Sequence, residues 1–189
     1  MPARVTPLPN FEEVFREHYT ALYRYALSLV RDEPQARDVV SDVFLEVWSR
    51  YDTLTIQHSL RSYLFTCVKH ASLKAMKANA NIERIDEATF EHVTTAGTPQ
   101  DLLISTEATR FIEGLIASLP ALQQEILELK LFGLRNTEVA EVLGITTAKV
   151  EYHLAAAIDM LQRRIKRSDK HYALLADGLL ALHILVILR

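Results

Sequence analysis

Three stretches of this chain carry residue types and spacings that could do chemistry. In "DVVSDVFLEVW", Asp38, Asp42 and Glu46 stand at i, i+4 and i+8, which sets three carboxylates along one helix face opposite the buried valines. Such a stripe is ordinarily solvated surface; its sharper reading is a docking face for a basic partner helix. From Thr53 to Ile82 the chain then has no Asp or Glu, while Arg61, Lys69, Lys74 and Lys77 fall inside. Thr66, His70, Lys74 and Lys77 follow the spacing of one helical face, with Lys69 on its shoulder, which makes the local basic patch that phosphate binding requires. Tyr63 and Phe65 could stack on unpaired bases there, although aromatic residues at this density more often form core. His70 reads as polar surface rather than as a catalytic base.

The third stretch is "NTEVAEVLGITTAKVEYHLAAAIDMLQRR", two short helices around a Leu143-Gly144-Ile145 corner, the layout of a DNA-binding helix-turn-helix. Asn136 is expected to cap the first helix, with Val139, Ala140 and Leu143 facing inward. Gly144 permits a left-handed turn, Ile145 plugs the core and Thr146 caps the second helix. Val150, Leu154, Ala157, Ile158 and Leu161 repeat on the buried side of that helix. Exposed at its start are Thr147, Lys149, Glu151, Tyr152 and His153, the residues that would meet base edges and phosphates. A helical hairpin with no DNA role is the plainer alternative, and the weak basicity of this helix is what gives it weight.

No set of groups for bond-making chemistry stands beside these. The seven histidines are scattered, and there is no HExxH, no glycine-rich phosphate loop and no nucleophile elbow. The chain is therefore expected not to be an enzyme, with no catalytic residue, metal, cofactor or small-molecule substrate. Its single cysteine, Cys67, excludes an internal disulfide and a multi-cysteine zinc site, and within "YLFTCV" it reads as a small buried residue. With a formal net charge of -3 over 189 residues there is no global basic field, so any nucleic-acid surface must be local.

The elements that must position these residues are helical. Only five glycines are present, alternating apolar runs are few, and apolar residues recur at three and four almost everywhere, which predicts an all-α fold. Asn10 can cap a helix with the stripe Phe11, Val14/Phe15, His18, Leu22, Tyr25/Ala26 and Leu29, ending near Val30. Asp32 can cap a second, with Pro34 in its first turn and Val39/Val40, Val43/Phe44 and Val47/Trp48 directed at the first. After "YDTLTIQHS" a third helix is expected to bury Leu60, Leu64, Cys67/Val68, Ala71 and Ala75. These helices make an N-terminal domain over residues 10–80. An acidic linker over 81–101 leads to a second helical domain over 102–168, and an apolar tail occupies 169–189. The opening "MPARVTPLPN" is expected to be a frayed arm, neither signal peptide nor anchor.

Taken in order, "FREHYTALYRYALSLVRDEPQARDVVSDVFLEVW" with "LRSYLFTCVKHASLKAMK" resembles region 2 of a bacterial sigma factor of the extracytoplasmic-function group, in the sigma-70 family. "LIASLPALQQEILELKLFGLRNTEVAEVLGITTAKVEYHLAAAIDML" resembles region 4 of the same family. The resemblance implies a protein that binds core RNA polymerase through its β′ and β subunits and directs promoter-specific initiation, working in the cytoplasm with an anti-sigma factor as a further partner. It assigns Asp38, Ser41, Asp42 and Leu45 to the polymerase β′ coiled coil. Arg61, Lys69, His70, Lys74 and Lys77 go to promoter DNA at the −10 element, and "YDTLTIQHS" becomes the loop that captures a flipped base. Thr147, Lys149, Glu151, Tyr152 and His153 would read the −35 element. The chain departs from the family pattern at Glu151, where a basic residue is common, at His153, where arginine is common, and at His70, where asparagine is common. A stand-alone helix-turn-helix regulator of transcription is the alternative reading.

The tail departs as well. As a helix, the seventeen residues from Ala173 to Arg189 would extend about 25 Å, short of the ~30 Å hydrocarbon core, and they include Asp177 and His183. The tail is expected to pack as a hydrophobic helix on its own domain, on a partner or on another copy. Deleting the residues after Lys170 should change solubility or activity and leave membrane fractionation unchanged; tail-dependent movement of the intact protein into membranes would overturn this.

Overall fold

The computed structural model describes residues 10–56, 59–80 and 114–167. Every regular element among them is helical: α1 is Phe11–Val30, α2 is Glu33–Ser49, a 3-10 turn covers Tyr51–Thr53, α3 is Leu60–Ala80, α4 is Ala121–Leu131, α5 is Asn136–Leu143 and α6 is Thr147–Arg167. The chain forms two compact units, one holding α1 to α3 and the other holding α4 and α6. The arm over 1–9, the linker over 81–101, the start of the second domain over 102–113 and the tail over 169–189 lie outside the described residues.

Local chemistry sets the ends of the first two helices. The Asn10 carboxamide oxygen accepts from the Glu12 N–H at 3.0 Å, and the Asp32 carboxylate accepts from the Gln35 N–H at 2.8 Å. Both side chains satisfy donors that a helix start leaves without partners. Between the helices, Arg31 adopts a left-handed conformation at φ 57°, and its N–H reaches the Leu27 carbonyl at 2.8 Å, ending α1 before Asp32 starts α2.

α1, α2 and α3 pack against one another in all three pairings. Val14, Leu22, Tyr25 and Ala26 meet Ala36, Val39, Val40, Val43, Phe44 and Val47, and Leu64, Phe65 and Val68 complete this core. α3 presents a stripe rotated by about one position from the expected one. Phe65 and Ser72 are fully buried, while Leu60, Cys67, Ala71 and Ala75 are only half-buried. The larger ring of Phe65 removes more apolar surface from water than the Cys67 thiol, and it carries the helix round with it. His18 is also buried in this unit. Burial pushes its imidazole below the usual range and Arg61 pushes the same way, against Glu17.

In the second unit α4 packs on α6. Ile126, Leu127 and Leu129 are buried on α4, and Val150, Leu154, Ala157, Leu161 and Ile165 on α6; Ile158 is only half-buried. Asn136 is the first residue of α5 rather than its cap. The Val139 N–H donates to the Arg135 carbonyl at 2.9 Å, and the Glu138 carboxylate accepts the Arg135 N–H at 2.9 Å, closing the helix start from its third position. Glu138 is 6% exposed and Lys130 is 5% exposed; burial lowers the Lys130 ammonium and the Glu138 charge counters it.

Candidate functional site

On α2 the buried valines turn the opposite side outward. Asp38, Ser41 and Asp42 are exposed, and Leu45 among them is 65% exposed, an apolar side chain set in an acidic face. Trp48, expected to point at α1, is 60% exposed. Its ring lies 4.7 Å from that of Phe11 at 62°, so one edge rests on α1 while the rest meets water. Three residues after Leu45 and seven after Ser41, Trp48 continues the same ridge, a spacing that the sequence already displayed. Phe15 from α1, 40% exposed and 4.7 Å from Phe44, is a further exposed aromatic in this unit that sequence reasoning assigned to the core.

On α3, His70, Lys74 and Lys77 are exposed, and Thr66 and Lys69 are half-buried. Thr66 turns its hydroxyl inward to donate to the Ser62 carbonyl at 2.8 Å. Arg61 does not join them. Nine residues before His70, it lies about half a turn round the helix, half-buried and close enough to His18 to depress it. Phe65 is excluded as a stacking platform, since it is fully buried with its ring 5.3 Å from that of Tyr25. Tyr63 is half-buried and falls on the ridge of Thr66 and His70; its hydroxyl accepts from the Arg50 guanidinium at 2.9 Å. Burial pushes both the Tyr63 phenol and the Cys67 thiol up, which leaves Cys67 a poor nucleophile.

Between α5 and α6, Gly144 takes φ 64° and donates its N–H to the Glu141 carbonyl at 3.3 Å. Thr146 then caps α6, its hydroxyl accepting the Lys149 N–H at 3.3 Å. On α6 the five expected residues divide between two sides. Lys149, Tyr152 and His153 share one at i, i+3 and i+4, with Tyr152 71% exposed and its ring 5.3 Å edge-on from His153. Thr147 and Glu151, at i and i+4, share the other, Thr147 half-buried and Glu151 exposed. No helix among the described residues is long and apolar enough to cross a membrane.

This arrangement has known counterparts. The family model described as Sigma-70 region 2 matches residues 14–82, and that described as Sigma-70, region 4 matches residues 112–161. The chain is 21% identical over 154 residues to the RNA polymerase sigma factor SigV of Bacillus subtilis, covering 81% of this chain and 89% of that one. To the ECF RNA polymerase sigma factor SigL of Mycobacterium tuberculosis it is 24% identical over 151 residues, covering 79% and 85%. Among solved structures, the sigma factor RpoE in complex with the anti-sigma factor NepR from Bartonella quintana superposes with a TM-score of 0.60 at 21% identity, covering 84% of this chain and 98% of that one. This chain therefore belongs to the sigma-70 family, in its extracytoplasmic-function group, and is a transcription initiation factor.

Proposed function

We propose that this sigma factor binds core RNA polymerase through the α2 face and directs it to promoters through α3 and α6. Residues 10–80 act as region 2, 81–101 as linker, 102–168 as region 4 and 169–189 as an apolar tail. Asp38, Ser41, Asp42 and Leu45 meet the β′ subunit, with β as the second polymerase partner. Lys69, His70, Lys74 and Lys77 contact the −10 DNA, while Arg61 is left to support the fold because it lies off that face. Thr147, Lys149, Glu151, Tyr152 and His153 meet the −35 DNA. The protein acts in the cytoplasm without catalysis of its own, opening DNA by capture and stacking, and an anti-sigma factor restrains it, as NepR is paired with RpoE. The observation that carries this reading is one exposed leucine within an acidic helix face, in the same three-helix unit as an acid-free basic face.

The test is run-off transcription with core polymerase from the same host, beside gel shifts with and without that enzyme. A promoter-dependent transcript and polymerase-dependent DNA binding are expected. Specific duplex binding without polymerase would favour the stand-alone regulator instead, and no transcript from any host promoter would overturn the reading. Within the same assay Lys149→Ala is expected to weaken −35-dependent initiation by about fivefold, the scale of one charged contact to DNA. Glu151→Lys is expected to strengthen DNA binding or shift its sequence preference by removing a repelled carboxylate. If neither substitution changes promoter use, the reading face lies elsewhere.

A further inference from the structure

An unbroken run of aromatic rings lines one side of the α1–α2 pair. Along α1, Phe11, Phe15, Tyr19 and Tyr23 stand at successive i, i+4 positions, with the ring of Tyr19 5.0 Å from that of Phe15 and 6.3 Å from that of Tyr23. From α2, Phe44 forms the floor, 3% exposed, 4.7 Å from Phe15 and 6.3 Å from Tyr19. Phe11 then carries the run to Trp48 at 4.7 Å and to Tyr51 at 5.2 Å. Trp48 is 60% exposed and Phe15 40%, while Phe11, Tyr19, Tyr23 and Tyr51 are half-buried. Single exposed apolar side chains are ordinary, but rings in continuous contact make a patch, and such a patch marks an interaction surface.

The described chain begins at this patch. Asn10, which precedes Phe11, takes φ −58° and ψ 133°, the polyproline II region. Before it stands "PARVTPLP", residues 2–9. Proline fixes its own φ near that value and restricts the residue before it, so Pro7 and Pro9 bias Thr6 and Leu8 toward the same extended form. Proline-rich segments in that form dock on surfaces lined by aromatic rings, and they arrive with little conformational freedom left to lose. Reach is sufficient, since Phe11 to Tyr23 is about 18 Å along a helix and the eight residues would span about 25 Å. Arg4 is the only charged side chain of the segment, and the first turn of α1 offers it Glu12 and Glu13, both exposed.

We propose that residues 2–9 are the ligand of this aromatic surface: the segment lies across Trp48 and Phe15 in polyproline II form, with Pro7 and Pro9 against the rings. Trp48 stands three residues after Leu45, so the seated segment borders the exposed ridge of α2 whatever partner that ridge meets. Because the segment is tethered at Asn10, its effective concentration at the surface is high, and a contact too weak to hold a free peptide suffices.

Trp48 is the only tryptophan in the chain, so its fluorescence reports this surface directly. The experiment compares the unaltered protein with a form lacking residues 2–9 and with the full-length Pro7→Ser/Pro9→Ser variant. Both changes are expected to shift the Trp48 emission to longer wavelength and to make acrylamide quenching more efficient. Helical content by circular dichroism should stay the same, because Asn10 still caps α1 in each; if the shortened form nevertheless loses helix, the full-length variant decides alone. Emission and quenching unchanged on removing residues 2–9 overturn the proposal. So does a shortened form that responds while Pro7→Ser/Pro9→Ser does not, since the prolines then make no contact. Emission of the unaltered protein that depends on its concentration would make a second copy the occupant, and the same red shift on deleting the residues after Lys170 would make it the apolar tail; either result overturns the assignment to residues 2–9.

Discussion

Replacing Leu45 with arginine is expected to weaken binding to core RNA polymerase by about 100-fold without altering the fold. The side chain is 65% exposed, so the isolated protein gains nothing from it that arginine could disturb. An exposed leucine framed by Asp38, Ser41 and Asp42 has the form of an anchor inside a polar rim, and removing such an anchor costs about 2 kcal/mol or more, roughly 30-fold in affinity. The guanidinium adds like-charge repulsion against a basic partner helix, which accounts for the remaining factor of about three. Affinity is measured by competition for labelled core enzyme, beside a thermal melt of the variant alone. A change below about threefold with an unaltered melt would move the docking surface off this face of α2.

The contrast between Leu45 and Trp48 shows how far the site was legible. The exposed carboxylates of α2, Asp38, Asp42 and Glu46, follow from one periodicity, because their i, i+4 spacing leaves them opposite the buried valines, whereas Ser41 and Leu45 were assigned to that face by the family resemblance. Trp48 was assigned inward on helical spacing, as the last apolar pair with Val47 after Val39/Val40 and Val43/Phe44. Its ring is too large to be enclosed at the end of a helix, and it packs by one edge on Phe11. The Arg50–Tyr63 bond had no sequence signal at all, since its partners lie thirteen residues apart on different elements. Arg61 was grouped with the α3 lysines by its charge and by the family resemblance, and helical arithmetic separates them once a register is known.

For the fold, the ends of α1 and α2 were legible because Asn10 and Asp32 act locally, each on an N–H two or three residues away. The start of α5 was not read correctly, since both Arg135 and Asn136 stand before the apolar run. The choice was made by Glu138, whose carboxylate reaches the Arg135 N–H and is itself held among Arg135 and the buried Lys130. The register of α3 was the remaining ambiguity. The expected stripe through Leu60, Leu64, Cys67/Val68, Ala71 and Ala75 and the observed one, which keeps Leu64 and Val68 but turns to Phe65 and Ser72, are both consistent with a 3.6-residue period. Only packing against α1 and α2 decides between them.

That register makes Phe65→Ala a decisive substitution. Phe65 and Tyr25 are both fully buried with ring centroids 5.3 Å apart at 41°, so truncation leaves a cavity between α1 and α3 that neighbouring side chains refill only in part. The N-terminal unit is expected to lose about 3–5 kcal/mol of unfolding free energy. This reads as a lower denaturant midpoint at unchanged slope for that transition. Phe65→Leu retains most of the volume and should cost about 1 kcal/mol. The same substitutions separate core from nucleic-acid platform. A residue that stacked on an unpaired base would, on truncation, lose promoter opening at full stability. A residue of the core loses stability first, and Phe65→Leu then keeps nearly normal opening although no ring remains to stack. Normal stability of Phe65→Ala together with failed opening would return Phe65 to the DNA face and require α3 to be turned by about 100° from its present register.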